Sequence, residues 1–319
     1  MLDLRDYYKK IKKYKLIKIF HYSDTSKIRI FFNILRLIYY QIINKRLIRA
    51  KVNNYKMILD LKTLGLSKAL FVYGKREILD TYLVNKNIKE DINVLDIGAN
   101  IGYYVLMEAS QLRNGKIYAL EPDPRNIELL RKNIELNNFQ NKVKILPLAA
   151  SDKNEIKAFH LGERTNVSSF LDRNDVVNTI NVKCVKLDDL PFINDIDFIR
   201  MDIEGYEVKV LEGARNFLTT TQKPIKILIE VHNFAYNKDD FNFKYQLEYL
   251  NKHGFEVKYL ISGDNNFSKV FSKMGYEAIK NGIETNIRRS LYKNIKFNDF
   301  VFLLEKKLIR SLMIEKIRF

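Results

Sequence analysis

A single cysteine, Cys184, in 319 residues excludes an internal disulfide framework and any zinc site built from several cysteines. No apolar run is long enough to span a bilayer. The longest candidate, Ile28–Ile43 (IRIFFNILRLIYYQII), would cover ~24 Å of a ~30 Å hydrocarbon core. No small-residue cleavage site follows a short apolar N-terminal run, so no signal peptide is expected and a cytoplasmic location is. Internal repeats and low-complexity tracts are lacking as well. At 46% hydrophobic and 29% charged, the chain is globular rather than disordered, and its length admits one large or two small domains.

Positive charge is in excess, at +17, but unevenly. Residues 1–56 hold 15 basic against 3 acidic residues, and residues 285–319 hold 9 against 3. The stretch between them is close to neutral, at −1. The basicity therefore concerns what the two ends touch, such as an anionic membrane surface.

Residues 1–56 read as a basic, partly amphipathic helical extension. On a helical wheel of 28–43, Arg29, Asn33 and Arg36 form one narrow stripe and the rest is apolar, so such a helix must bury most of its circumference. Two readings stand open. One is a core helix at a domain or homo-oligomer contact. The other is an in-plane membrane helix flanked by Lys27, Lys45, Arg46, Arg49 and Lys51.

Over 57–305 strands and helices alternate. Strands are expected at Tyr55–Leu61, Val94–Ile97, Lys116–Leu120, Val143–Leu148, Phe198–Met201 and Ile225–Val231. Helices are expected at Arg76–Asn85, Tyr103–Leu112, Pro124–Asn137, Val208–Leu218 and Tyr245–Lys252. Short apolar strands alternating with helices predict an α/β fold, a parallel sheet covered on both faces. Phe255–Ile261 and Phe300–Leu304 lack a regular crossover between them, which predicts an antiparallel final pair. Residues 263–297 look like an insertion. Residues 306–319 read as a basic C-terminal helix, with Leu308, Leu312 and Met313 on one side.

The strongest motif is Val94–Gly102 (VLDIGANIG), a strand ending at Asp96 and turning into a helix. Its spacing is Gly-x-x-x-Gly. Where dinucleotide folds have a second glycine so that the pyrophosphate can approach, this chain has Asn100, which suits a ligand without phosphates. Glu121 follows the next strand, 25 residues after Asp96, and a carboxylate there can accept both ribose hydroxyls. Asp152 follows the third strand and can accept from an exocyclic amine. Together these describe a pocket for an adenosine with a cationic extension.

VLDIGANIGYY, ALEPDP, PLAASD, FIRMDIEGYEVKVLEGA and LIEVH occur in the order seen in the FkbM family of S-adenosylmethionine-dependent methyltransferases, which this chain resembles over roughly 55–260 and a last strand at 299–306. The resemblance implies a class I methyltransferase fold, Rossmann-like, with a seven-stranded sheet in the order 3-2-1-4-5-7-6, strand 7 antiparallel and helices on both faces. It implies S-adenosylmethionine as cofactor and transfer to a hydroxyl oxygen of a sugar, glycan or natural product. By matched position, Asp96, Gly98 and Gly102 would line the cofactor's methionine end, Glu121 would hold the ribose and Asp152 the adenine; Asn100, inside the turn, is also expected to bind the cofactor. Glu77 lies where the family often has an acidic residue. It either reaches the ligands or decorates a solvated helix start.

In this fold the ends of strands 4 and 5 face the reactive sulfonium. Asp202, Glu204, Glu230 and His232 converge there, and alternation along a strand keeps all four from pointing into one cleft. Asp202, Glu204 and His232 are the expected catalytic set. His232 is the natural base near neutral pH, with Asp202 orienting it or taking the proton itself. The same residue types suit Mg²⁺ or Mn²⁺, but carboxylates beside a sulfonium need no ion, so no metal is expected. A nucleic-acid methyltransferase using the basic ends is the main alternative. It is disfavoured because the loop after strand 4 reads DIEG, with two carboxylates that repel phosphate. A non-catalytic binding protein retaining the fold is the other alternative.

Overall fold

The computed structural model describes residues 27–317, apart from 64, 165–167, 172–175, 238, 265–266 and 285–286. The part of the basic extension before Lys27 lies outside the described residues.

Helix α1 (Lys27–Ile42) leads into an antiparallel hairpin, β1 (Leu47–Val52) and β2 (Tyr55–Asp60). The hairpin turns at Asn53, whose φ of 50° suits asparagine. Helices α2 (Leu66–Tyr73) and α3 (Ile78–Asn87) follow. The α/β body then runs through β3 (Val94–Ile97), α4 (Tyr103–Gln111), β4 (Ile117–Leu120), α5 (Pro124–Leu136) and β5 (Val143–Leu146). Asp123 caps α5 by accepting from Arg125 N–H, and Pro124 occupies its first turn, where a missing N–H costs nothing.

Residues 149–185, which carry no clear pattern in the sequence, form a small separate sheet. It comprises β6 (Ala149–Ala150), β7 (Ile156–Gly162) and β8 (Val176–Val185). The chain returns to the body with β9 (Phe198–Met201), α6 (Glu207–Gly213), α7 (Arg215–Thr220), β10 (Lys226–Glu230), α8 (Phe243–Lys252) and β11 (Phe255–Ser262). It ends with α9 (Ser268–Lys273), β12 (Lys280–Glu284), β13 (Ile287–Lys293), α10 (Phe297–Glu305) and β14 (Ile309–Lys316).

The main sheet runs β5-β4-β3-β9-β10-β14-β11-β13-β12. Its first seven strands are the class I methyltransferase order, with β14 antiparallel to both neighbours. The hairpin β12–β13 pairs onto β11 and extends the edge to nine strands. The stretch 263–297 is thus built into the sheet, with Leu291 and Tyr292 in the core.

Two expectations near the C-terminus are overturned. Phe300–Leu304 is helical, burying Phe300, Leu303 and Leu304 at i, i+3 and i+4. The tail expected as a helix over 306–319 is strand β14 over Ile309–Lys316. Its interior position covers both faces, so it shows no period-two alternation, and its near-continuous apolar run passes for a helix. The C-terminal charge is therefore not that of a free appendage. Lys316 is buried, and its Nζ donates to the carbonyls of Leu218 and Thr219 at the end of α7.

Within the chain, α1 buries only one of its faces, so the body alone does not supply the burial expected for it. Ile30 is buried, Tyr40 meets Phe71 edge-on, and Asn33 donates to the Val72 carbonyl. The polar stripe at Asn33 thus faces the body, and the opposite apolar face is left exposed.

Candidate active site

The strands β3, β4, β9 and β10 end together, and their following loops build two adjoining cavities. Gly98 is where the loops after β3 and β9 touch. Its φ is 86°, and a Cβ there would lie 2.1 Å from the Asp202 carbonyl oxygen, so only glycine fits. Gly102 starts α4 with φ 92° and borders Leu130. It lines neither cavity.

The first cavity is walled by Gly98, Asn100, Glu121, Ala149, Phe159 and Phe170 among others. Glu121 is nearly buried. Its Oε2 accepts from Asn100 N–H at 2.7 Å and its Oε1 from Asp123 N–H at 2.9 Å. Burial outweighs these donors and pushes its carboxyl up to about 7. Asp152 does not line the cavity. Its carboxylate lies 3.7 Å from Lys209 Nζ and accepts from Ser151 Oγ. Apolar side chains from β6 and β7 stand there instead.

Asp96 also lines neither cavity. It is fully buried, 3.1 Å from Arg200 Nη1. The other arm of Arg200 donates to Asp202 at 2.9 Å, and its guanidinium lies 3.7 Å over the Tyr104 ring. Burial pushes the Asp96 carboxyl up despite Arg200.

The second cavity, about 200 Å³, is polar. Its charged walls are Arg76, Glu77, Arg200, Glu230 and Arg310, and it shares Gly98, Asn100, Asp202 and Glu204 with the first. Glu77 accepts from the Tyr104 hydroxyl at 2.8 Å. Burial would raise its carboxyl, but Arg76, Arg310 and Arg200 outweigh that and hold it at about 2. Glu77 thus lines a cavity rather than a solvated helix start.

His232 stands behind the shared wall, nearly buried. Its Nδ1 lies 2.8 Å from Glu207 Oε1, and the Tyr236 hydroxyl donates to the other oxygen of Glu207 at 3.0 Å. Its Nε2 faces Glu230 at 3.4 Å and Asp202 and Glu204 at 3.9 Å each. All four strand-end residues therefore converge. Alternation does not separate them, because Asp202 and Glu204, and Glu230 and His232, are each two residues apart and so share a side, at or just past the ends of β9 and β10. Glu230 also pairs with Arg310, reached from β14.

The expectation of a His232 base poised near neutral pH needs correction. Burial alone would lower its pKa, but Glu207, Asp202 and Glu204 outweigh burial and hold it at about 9. Asp202, Glu204 and His232 also offer ligand atoms within 4.8 Å of one another, close enough for a divalent cation.

Glu207, Tyr236, Arg200 and Arg310 were not singled out in the sequence. Glu207 and Arg200 sit inside RMDIEGYE, so proximity to Asp202 was their available signal. Arg310 was hidden by reading its segment as a helix.

Residues 96–257 match the family model of the methyltransferase FkbM domain. The chain belongs to the FkbM family. It is therefore an S-adenosylmethionine-dependent methyltransferase. Among curated relatives of this FkbM protein, methyltransferase sdnD of Sordaria araneosa is 24% identical over 221 residues, covering 54% of this chain and 84% of the relative. The 2-O-methyltransferase NoeI of Sinorhizobium fredii is 25% identical over 176 residues, covering 48% of this chain and 71% of the relative. A solved structure, M. jannaschii TYW2 in complex with AdoMet, is similar with a TM-score of 0.42 at 15% identity, over 85% of this chain and 87% of that one.

The cavity at Gly98 fits such a cofactor. Glu121 offers acceptor oxygens at an apolar pocket suited to an adenine ring, and carboxylates crowd the shared wall where a sulfonium would lie. No described helix is long and apolar enough to cross a membrane.

Proposed function

We propose that this FkbM methyltransferase methylates a hydroxyl oxygen of a sugar, glycan or glycolipid. The observation that carries the reading is the Glu207–His232 pair, aimed through Nε2 at the wall shared by the two cavities. S-adenosylmethionine supplies the activated methyl group. An alcohol must lose its proton as it attacks, and a weakly acidic alcohol favours a base stronger than a carboxylate. Glu207 fixes the His232 tautomer with Nδ1 protonated, leaving Nε2 to accept the proton once the ring is neutral. Glu77, Glu230, Arg76 and Arg310 give the acceptor-side cavity hydroxyl-binding donors and acceptors. The similarity to a named 2-O-methyltransferase supports oxygen as the target. The carboxylates on the cavity wall disfavour a phosphate backbone.

No ion is needed in this reading. Arg200 already bridges Asp96 and Asp202, Arg310 faces Glu77 and Glu230, and the cofactor's own cation adds positive charge at the shared wall. The test is labelled S-adenosylmethionine with fractionated extract, with and without EDTA. Label is expected in a glycan or glycolipid fraction as an alkali-stable ether, unaffected by EDTA. Label in RNA, or at nitrogen, would overturn the reading.

Glu121 is proposed to accept the ribose hydroxyls, and this gives a pH signature. Only its ionised form accepts both, so cofactor binding lowers its pKa from about 7. Affinity is expected to fall by up to about tenfold per pH unit below that value and to be flat above it. Calorimetric titrations on both sides of pH 7 check this, and the Glu121→Gln variant should bind weakly without that slope.

A further inference from the structure

Helix α1 has two apolar faces, and the body covers one. The uncovered face holds Ile28, Phe31, Phe32, Leu35, Tyr39 and Ile42, between 45% and 69% exposed. At 3.6 residues per turn these positions occupy an arc of roughly 100°. Ile43 and Leu47 carry the patch onto the hairpin. An apolar surface of this continuity marks a contact.

Its rim is cationic. Arg29 and Arg36 stand at the seam between helix and body, Arg29 beside Gly74 and Arg36 over the Tyr40 and Phe71 rings, and both keep solvent access, while Lys45, Arg49 and Lys51 are exposed beyond the helix end. Arg49 and Lys51 share the outward side of β1 with Leu47. No Asp or Glu occurs between Asp24 and Asp60, and residues 1–26 add seven basic residues against three acidic. A second copy laid on this face would set cations against cations. An anionic bilayer complements both the apolar arc and the charged rim.

We propose that this face docks in the plane of an anionic phospholipid bilayer. Phe31, Phe32, Leu35 and Tyr39 enter the acyl boundary, and the arginines and lysines meet the headgroups. The docking also places the active site. Leu66 of α2 lines the acceptor-side cavity, while Phe71 and Val72 of the same helix, about 8–9 Å along it, touch the body-facing side of α1, so α2 and the thickness of α1 lie between cavity and lipid. The inference does not rest on the hydroxyl-acceptor reading, because binding is read without turnover.

The test is co-sedimentation of the full chain with phosphatidylcholine vesicles, with and without phosphatidylserine, beside light scattering of the free protein. The wild type should bind vesicles containing phosphatidylserine, bind pure phosphatidylcholine more weakly, and release in high salt. The double variant F31D/F32D alters exposed side chains only and should keep its thermal melt. It should lose roughly tenfold or more in vesicle affinity. Four results would each overturn the proposal. They are no binding at low salt, equal binding to neutral vesicles, a wild-type dimer that F31D/F32D dissociates, and unchanged binding in F31D/F32D that vanishes on deleting residues 1–26.

Discussion

His232→Ala is expected to lower kcat by about 10²–10⁴-fold while leaving S-adenosylmethionine affinity within about twofold. His232 lines neither cavity and its Nε2 faces the carboxylates of their shared wall, so in the proposed reading it acts on the acceptor side and binding and turnover should separate. The pH profile is the sharper check. His232 is held at about 9 in the free enzyme by Glu207, Asp202 and Glu204 against the effect of burial. With a neutral ring as base, kcat/KM for the cofactor should climb with pH and level off near that value. At saturating cofactor the proposed site would bring the sulfonium toward the ring, and like-charge repulsion should move the midpoint down. Glu207→Gln should move it down as well, because it removes the carboxylate nearest Nδ1. Full activity in His232→Ala would eliminate the base assignment.

The same pair has a stability signature. A pKa raised from 6.5 to about 9 on folding means the stabilisation is fully present below 6.5 and is lost as pH rises through about 9. Thermal melts at neutral and strongly alkaline pH should differ accordingly, and the difference should shrink in His232→Ala.

The largest stability loss is expected for Arg200→Ala, at about 3–5 kcal/mol. Its guanidinium lies between Asp96 and Asp202 and over the Tyr104 ring, with little solvent access. Removing it leaves Asp96 buried without its partner and opens a void over Tyr104. Lysine should rescue poorly, since one ammonium cannot bridge two carboxylates and stack on a ring together. Denaturant unfolding measures the loss. Adding Asp96→Asn should recover part of it, because the stranded group is then uncharged. A loss under about 1 kcal/mol would mean the Asp96–Arg200 contact contributes little.

Much of the α/β body was readable along the chain. β3, β4, β9 and β10 are short apolar runs ending in Gly, Asp or Glu turns, so local pattern and turn chemistry agree. β14 was not readable. A strand covered on both faces has no alternation, and IRSLMIEK satisfies a helical period equally well. The small sheet β6–β8 escaped for a related reason, since most of β8 is exposed and lacks an apolar rhythm.

At the site, the sequence placed Gly98, Asn100, Glu121, Asp202, Glu204 and His232 at strand ends, because strand ends in a parallel sheet lie together. It did not reveal that Asp152 turns to Lys209, nor that Asp96 is sealed under Arg200. Those outcomes depend on which neighbour a carboxylate meets across the fold. The pairing of Glu207 with His232 likewise joins the start of α6 to the loop after β10, 25 residues apart, and the basicity of His232 follows largely from that pairing.

The sequence by itself determined the order of the main-sheet strands and their helices through β11, the family motif and the concentration of positive charge at the ends. Each is a local property of consecutive residues. Only the tertiary structure decided that the C-terminal charge is built into the sheet through Lys316 and Arg310, and that α1 turns Asn33 inward and its phenylalanines outward. A helical wheel shows that a helix has faces. Which face is covered depends on the surface it packs against.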